Sequence, residues 1–485
     1  MSTSRFRVGH LPSLNLVEVT WQTLQLGTQQ QPLAVDVPCL TPTQMATLTQ
    51  CVRQASAKLK QQPLANIIRV IDTVVARLLD ESDPYRQQLE DLLPRATGFS
   101  AEMVRLHLHS YLRTFRALQL HRFVTEDFGN PLLLDEFQPR VTGGWSHAEG
   151  PELIVHVWAG NIPALPLWSL VSGLLVKAGN VGKVASAEPV FATVFAHVWA
   201  EVAPEWADCL AVVWWQGGDV AQEACAFKPA DVVVAYGGNA ALQALRQHVP
   251  ITTRFLPHGH KLSFGMVSCA ALSVRKGAQV AAQAALDVVR FEQQGCYSPH
   301  LFYVQRGGKV TPHEFAQKLA AELSALAPKF PPRALSLEES VSLSAWRESH
   351  AWQQIQGEPI HVLGDTATPW FVVYFDHPLP LSPGPLNRCV QVVAVDHLTQ
   401  VPALITEQRS YLQTVGLAAA PEELLSLGQS LANVGVTRIC AIGAMTGPAA
   451  GWHHDGRFNL LDLVNMVDIE ASTEITAEHF TAYEP

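Results

Sequence analysis

Paired cysteines are missing from this chain. Its eight cysteines, at positions 39, 51, 209, 225, 269, 296, 389 and 440, are scattered, and no CxxC occurs. That pattern excludes a zinc ribbon or a disulfide scaffold and predicts reduced thiols and no metal site. Charge is sparse as well: 16% of residues are charged, the formal net charge is −10 and no long basic run appears. Nucleic acid and anionic membrane surfaces, which need a basic face, are thereby removed as partners. The longest apolar run, 162–176, contains Pro163 and Pro166 and is too short for a membrane span. No apolar segment of leader length stands near the first residues, so the expected location is the cytoplasm. Also absent is GxGxxG, the usual dinucleotide fingerprint.

What is present is ample core. The 485 residues are 48% hydrophobic, with 31 Gly and 32 Pro, a globular composition for two or three domains. Residues 41–128 read as a helical layer: Thr41, Pro42 and Gln44 supply a cap, a first-turn proline and a capping-box partner, and Ser100 offers a second cap. Between Leu153 and Arg290, β-branched runs (LIVHVW, VGKVA, LAVVWW, DVVVAYGG) alternate with helical ones, which predicts parallel strands with crossover helices, a doubly wound domain. After residue 290 a second α/β unit follows, with strands at LFYV, FVVYF, CVQVVAV and TRICAIG. The expected division is 1–290 for the helical layer and a cofactor-binding domain, 291–445 for a catalytic domain and 446–485 for a C-terminal segment.

Cys296 is the residue of most chemical interest. In RFEQQGCYSPH (290–300) it follows a glycine and a long helical stretch and precedes Pro299, which places the thiol on a loop. Cys209, Cys269 and Cys440 instead read as buried structural cysteines. The polar neighbours Glu292, Gln293, Gln294, Tyr297, Ser298 and His300 predict a polar cleft, although an inert loop thiol has the same appearance. In open α/β sheets ligands bind where strands end and helices begin. WWQGGD (214–219) and VVAYGGNAAL (233–242) are two such turns, and either fits a phosphate or a purely geometric need for glycine. In HVWAGNIPALP (156–166) a strand breaks at Gly160 and Asn161, whose amide either donates to an oxyanion or caps the next helix.

The runs AGNIP (159–163), GNVGKVASAEP (179–189), AYGG (235–238), PHGHKLSFG (257–265), EQQGCYSPH (292–300) and WHHDGRFNLLDLVNMVDIE (452–470) occur in the order and spacing of the acyl-CoA reductase family. The best-known member of that family makes fatty aldehyde for bacterial luciferase, and the family is similar to the wider aldehyde dehydrogenase superfamily. The resemblance covers about 153–470. It implies an aldehyde-dehydrogenase-like α/β fold with a doubly wound cofactor-binding domain, a second α/β catalytic domain and an N-terminal helical layer. Cys296 would be the acyl-accepting nucleophile, and Asn161 with the Cys296 backbone N–H the oxyanion hole. Lys183 would meet the adenosine ribose or its phosphate, and Gly237 and Gly238 would pass close to the cofactor.

Departures from the superfamily pattern sharpen the expectation. Where hydrolytic relatives carry a glutamate, this chain has Pro257, which favours exchange of the acyl group with a thiol over hydrolysis. His258, His260 and Glu292 are the candidates for a base, and His454, in the HDG run, is a candidate channel residue. His258 and His260 form an HxH pair, but without further ligands no metal is predicted. Three residues after Lys183 stands Ser186, not a glutamate, so NADPH is favoured, with NADH as the alternative; Glu188 lies two positions further on. The expected activity is an NADPH-dependent acyl-CoA reductase that forms an aldehyde from a fatty acyl thioester. The alternatives are a CoA-acylating or hydrolytic aldehyde dehydrogenase, a cysteine-dependent acyltransferase without hydride transfer, or a non-catalytic subunit. By analogy, a homo-oligomer and an acyl-donating partner enzyme are expected.

Overall fold

Thr41 stands two residues past a strand and opens a helix. In the computed structural model, which describes residues 4–28 and 31–480, the Thr41 N–H donates to Gln44 Oε1 at 2.9 Å and the Thr41 hydroxyl accepts from Gln44 N at 3.2 Å. This is the predicted capping box, with Pro42 in the first turn. Ser100 likewise caps, its hydroxyl accepting from Met103 N at 3.2 Å. Five helices follow Thr41: α1 (Pro42–Lys60), α2 (Leu64–Leu79), α3 (Pro84–Thr97), α4 (Ala101–Leu112) and α5 (Ala117–Phe128). Ahead of them lies a small sheet that the sequence did not announce, built from β1 (Ser4–Arg7), β2 (Thr20–Gly27) and β3 (Pro32–Cys39) in the order β1-β3-β2.

The chain then forms β4 (Gln138–Pro139), β5 (Trp145–Glu149), β6 (Leu153–Val157), α6 (Pro166–Leu175), β7 (Gly179–Lys183), α7 (Phe191–Val202), β8 (Leu210–Val213), α8 (Val220–Phe227), β9 (Val232–Tyr236), α9 (Asn239–His248) and β10 (Arg254–His258). Strands β10-β9-β6-β7-β8 make one wholly parallel five-stranded sheet. Every residue of β6 and β8 is buried. Such strands carry continuous apolar runs because helices cover both faces, which is the doubly wound pattern expected.

A seven-stranded sheet follows: β11 (Leu262–Val267), β12 (Pro299–Gln305), β13 (Ile360–Leu363), β14 (Phe371–Phe375), β15 (Cys389–Val395), β16 (Leu412–Ala418) and β17 (Arg438–Ala441), in the order β13-β14-β15-β12-β11-β16-β17. Only the β13–β14 pair is antiparallel. Helices α10 (Val274–Val289), α11 (Pro312–Leu326) and α12 (Leu337–Ile355) belong to the same stretch. The last strand, β18 (Asn465–Ile469), pairs antiparallel with β5.

Two compact units result. One holds the described residues up to 97, then 107–259 and those from 449 on; the other holds 98–106 and 260–448. The change at 259/260 comes well before the boundary expected at 290, because β11 hydrogen-bonds to β12 and β16 and so carries α10 with it into the second unit. The C-terminal segment expected to stand apart from 446 groups with the first unit, through β18 and β5. Among the described residues no helix is long and apolar enough to cross a membrane, and no disulfide joins any of the eight cysteines.

Candidate active site

In the second unit, the thiol loop grows out of the end of α10. After Val289 the chain turns left-handed at three consecutive residues, Phe291 (φ 56°), Glu292 (φ 52°) and Gln293 (φ 62°). A second left-handed turn, Leu386, Asn387 and Arg388 (φ 63°, 53° and 62°), lies against it. None of the six is glycine, so each pays the Cβ clash of this conformation, and the surroundings must over-determine it. They do. Asn387 N donates to Glu292 O at 2.9 Å, and Gln293 Nε2 donates to Pro299 O at 2.8 Å and to Cys389 O at 3.1 Å. Arg388 donates through Nε and Nη2 to the two oxygens of Glu292, with both side chains buried. Burial pushes the Glu292 carboxyl up while Arg388 holds it back.

Gly295 and Cys296 follow. A Cβ on Gly295 would come within 2.5 Å of the Tyr297 ring, so glycine lets that ring fold back beside the thiol. The loop is tied to the sheet through Ser263 of β11. Its hydroxyl donates to Cys296 O at 2.7 Å and accepts from Thr414 N of β16 at 3.1 Å. Next to Thr414, Gln413 donates its side-chain N–H to Cys296 Sγ at 3.4 Å. The thiol itself is half-buried.

The polar cleft expected around Cys296 is therefore corrected. Glu292, Gln293, Ser298 and His300 are buried, and Glu292, Gln293 and His300 serve as internal ties, since two turns with six left-handed residues between them need polar support. Burial lowers His300 to about 4, so it is neutral, and its Nδ1 accepts from Gly384 N at 3.1 Å. Burial also pushes the Tyr297 hydroxyl above its ordinary range. Of the cysteines read as buried, Cys209 is, whereas Cys269 and Cys440 are half-buried near element ends.

In the first unit, the carboxyl ends of β6, β7 and β9 carry the remaining candidates. Asn161 lies a turn ahead of α6, whose N-cap is Leu165 without a side-chain bond, so Asn161 is not that helix's cap. Gly160 is required by close approach: a Cβ there would stand 3.0 Å from Ala185, Ala187 and Glu188. Lys183 ends β7 with its ammonium 6.0 Å from the centre of the Trp215 ring, and burial lowers its pKa. Ser186 accepts from Trp214 Nε1 at 3.0 Å, which leaves its own O–H to donate. Glu188 turns inward, its carboxylate accepting from Val190 N at 2.9 Å and Phe191 N at 2.8 Å. Gly237 N bonds His258 O, and Gly238 is the N-cap of α9. Around Gly217 and Gly218 there is open space. A rim of glycines and a helix N-terminus at strand ends, flanked by a lysine, fits a phosphate-bearing dinucleotide.

The HxH pair is parted. His260 is exposed and belongs to the second unit, while His258 ends β10 in the first, its Nδ1 2.9 Å from Asp455 Oδ2. His258 stacks between Tyr236 (4.7 Å) and His454 (4.4 Å, 19° between ring planes). The ligand atoms of His258, His454 and Asp455 lie within 4.8 Å of one another. Near-parallel imidazoles direct their in-plane lone pairs side by side and not at a common point, so this is the geometry of a carboxylate-oriented imidazole pair. His454 also lines a cavity of about 30 Å³ together with Trp168, Tyr236, His258 and Phe458. Sequence reasoning missed Gln413, Ser263 and Arg388, all brought to the thiol loop from separate strands or turns. Asp455 was seen only as part of its loop.

A parallel nucleotide-type sheet in one unit and a loop cysteine over a seven-stranded sheet in the other define the aldehyde dehydrogenase fold. The structure of aldehyde dehydrogenase 21 from Physcomitrella patens, in complex with the reaction product succinate, matches with a TM-score of 0.75 over 97% of this chain and 99% of that one, at 11% identity. An indole-3-acetaldehyde dehydrogenase complexed with NAD+ matches at 0.71 over 92% and 93%, with 12% identity. The chain belongs to the acyl-CoA reductase (LuxC) family, whose model matches residues 59–466. Among curated relatives, a long-chain acyl-protein thioester reductase of Photorhabdus luminescens is 27% identical over 420 residues, 86% of this chain and 84% of the relative. One of Aliivibrio fischeri is 26% identical over 428 residues, with the same two coverages.

Proposed function

We propose that this chain reduces a long-chain acyl thioester to the aldehyde through an acyl-enzyme on Cys296, with NADPH as reductant. The observation that carries the reading is the half-buried Cys296 thiol, locked by Ser263 to β11 and β16 on its loop. Cys296 Sγ, as thiolate, attacks the thioester carbonyl; the new C–S bond forms and the donor thiol departs with the electron pair of the old one. When bound, the nicotinamide supplies a hydride to the acyl carbon. The resulting thiohemiacetal collapses as its oxygen reforms C=O and Cys296 leaves as thiolate. Asn161 is assigned the developing oxyanion.

Two features favour reduction over hydrolysis. Pro257 stands where a water-activating carboxylate would be, and Glu292, the carboxylate nearest in sequence, is engaged by Arg388. For the cofactor, Lys183, Ser186, Gly237 and Gly238 are assigned to binding. The inward turn of Glu188 onto the N–H groups of Val190 and Phe191 supports NADPH, since it leaves Ser186 as the side chain after Lys183 that meets the ribose without opposing a 2′-phosphate.

An acyl-protein donor is the second reading for the substrate, favoured by the relatives named long-chain acyl-protein thioester reductases. The same reading carries a homo-oligomer and an acyl-donating partner in the cytoplasm. The test supplies a long-chain acyl-CoA or a long-chain acyl-protein thioester with NADPH or NADH and follows cofactor oxidation, aldehyde and free thiol together. Thiol release without cofactor oxidation would replace the reductase by an acyltransferase, and release of free acid would replace it by a hydrolase.

A further inference from the structure

We propose that Gln413 is the hydrogen-bond donor that holds the Cys296 sulfur as thiolate, both when it attacks and when it is expelled. The proposal rests on the reading of Cys296 as acyl acceptor and assigns a residue that no motif marks. Gln413 is the second residue of β16 and is almost fully buried, at 1% exposure. Its Nε2 lies 3.4 Å from Sγ, and Thr414 Oγ1 donates to its Oε1 at 3.4 Å. The amide oxygen thus meets the threonine hydroxyl while the NH2 group faces Cys296. The same strand also reaches the loop through Thr414 N, Ser263 Oγ and Cys296 O. Amide and sulfur are thus held together by two adjacent residues of one strand, not by a mobile side chain.

The chemistry explains why an amide suits this place. A donor aimed at sulfur favours the charged form of a thiol and does little for the neutral one. Stabilising the thiolate tempers its nucleophilicity but makes it a better leaving group, which is what collapse of a thiohemiacetal requires. A lysine or histidine would do the same with a charge of its own. Charged and titratable groups around the loop have partners of their own. Glu292 and Arg388 neutralise each other. His300 is neutral at working pH, and burial keeps the Tyr297 phenol protonated. Arg290 donates to Thr446 Oγ1, and Arg438 donates to the carbonyls of Ala444 and Met445.

The test is the pH profile of iodoacetamide alkylation at Cys296, read by peptide mass spectrometry in the full chain without cofactor. In Gln413→Leu the midpoint of the profile moves up by about one pH unit, so alkylation at neutral pH falls about tenfold. Gln413→Glu, which sets a carboxylate against the sulfur, moves it further. Gln413→Asn, shorter by one methylene, withdraws the N–H and shifts the midpoint in the same direction, so it carries the test if the leucine variant does not fold. With substrate, kcat falls and KM holds. An unchanged midpoint in a folded Gln413→Leu or Gln413→Asn protein would overturn the inference. Normal alkylation shifts with no thioester reduction by the unaltered enzyme would instead overturn the proposed function and leave this role for Gln413 intact.

Discussion

Arg388 grips Glu292 with two parallel hydrogen bonds, Nε to Oε2 at 2.8 Å and Nη2 to Oε1 at 2.5 Å, and so joins two left-handed turns that neither sequence segment would hold alone. Arg388 Nη2 also donates to Phe330 O at 2.7 Å. The pair sets where the thiol loop starts.

Breaking that pair from one side is predicted to be costly. Arg388→Met leaves a buried carboxylate uncompensated and lowers stability by about 3–5 kcal/mol, measured by denaturant unfolding. The double variant with Glu292→Leu recovers part of the loss, because the stranded charge is gone. A loss below about 1 kcal/mol in the single variant would mean that the two turns hold without the pair.

Much of this architecture was legible in the sequence, and the reasons are physical. The parallel sheet β6–β9 announced itself because continuous apolar strands alternate with amphipathic helices, and Thr41 and Ser100 capped where their side chains required. Cys296, Lys183 and Gly237 were legible as a loop thiol and strand-end groups. Gln413 was not. YLQTVGL reads as an ordinary strand, and its contact with a residue on a distant loop depends on the β11–β16 pairing. Arg388 escaped notice for a similar reason: its left-handed turn without glycine has no local signature. β1–β3 were overlooked because β2 is mostly exposed and lacks an apolar stripe.

Glu188 gives a pH prediction. Burial raises its carboxyl from 4.5 to about 7 in the folded chain. Below about 4.5 it is protonated folded or unfolded, and no penalty arises. Between about 4.5 and 7 the unfolded chain ionises this carboxyl while the folded chain keeps it protonated, so stability is lost across that window and levels off above 7. Glu188→Gln, which keeps a carbonyl acceptor for Val190 and Phe191, gains on the unaltered protein as pH rises, by at most about 3 kcal/mol above pH 7. Parallel stability curves from pH 4.5 to 8 would show that this ionisation costs nothing.

Ser186 is predicted to set nicotinamide preference. Ser186→Glu places a carboxylate where a 2′-phosphate would lie and lowers kcat/KM for NADPH at least about tenfold while sparing NADH. Steady-state kinetics with both cofactors decide it. An unaltered ratio would remove Ser186 from the cofactor site.

The most direct measurement of the central claim is the mass of the Cys296 peptide after mixing the protein with a long-chain acyl-CoA and no cofactor, then after adding NADPH. An acyl adduct on Cys296 is expected that persists in water and disappears with aldehyde formation once NADPH is added, with no adduct in Cys296→Ser. An adduct on another residue, or one that decays to free acid without NADPH, would contradict it.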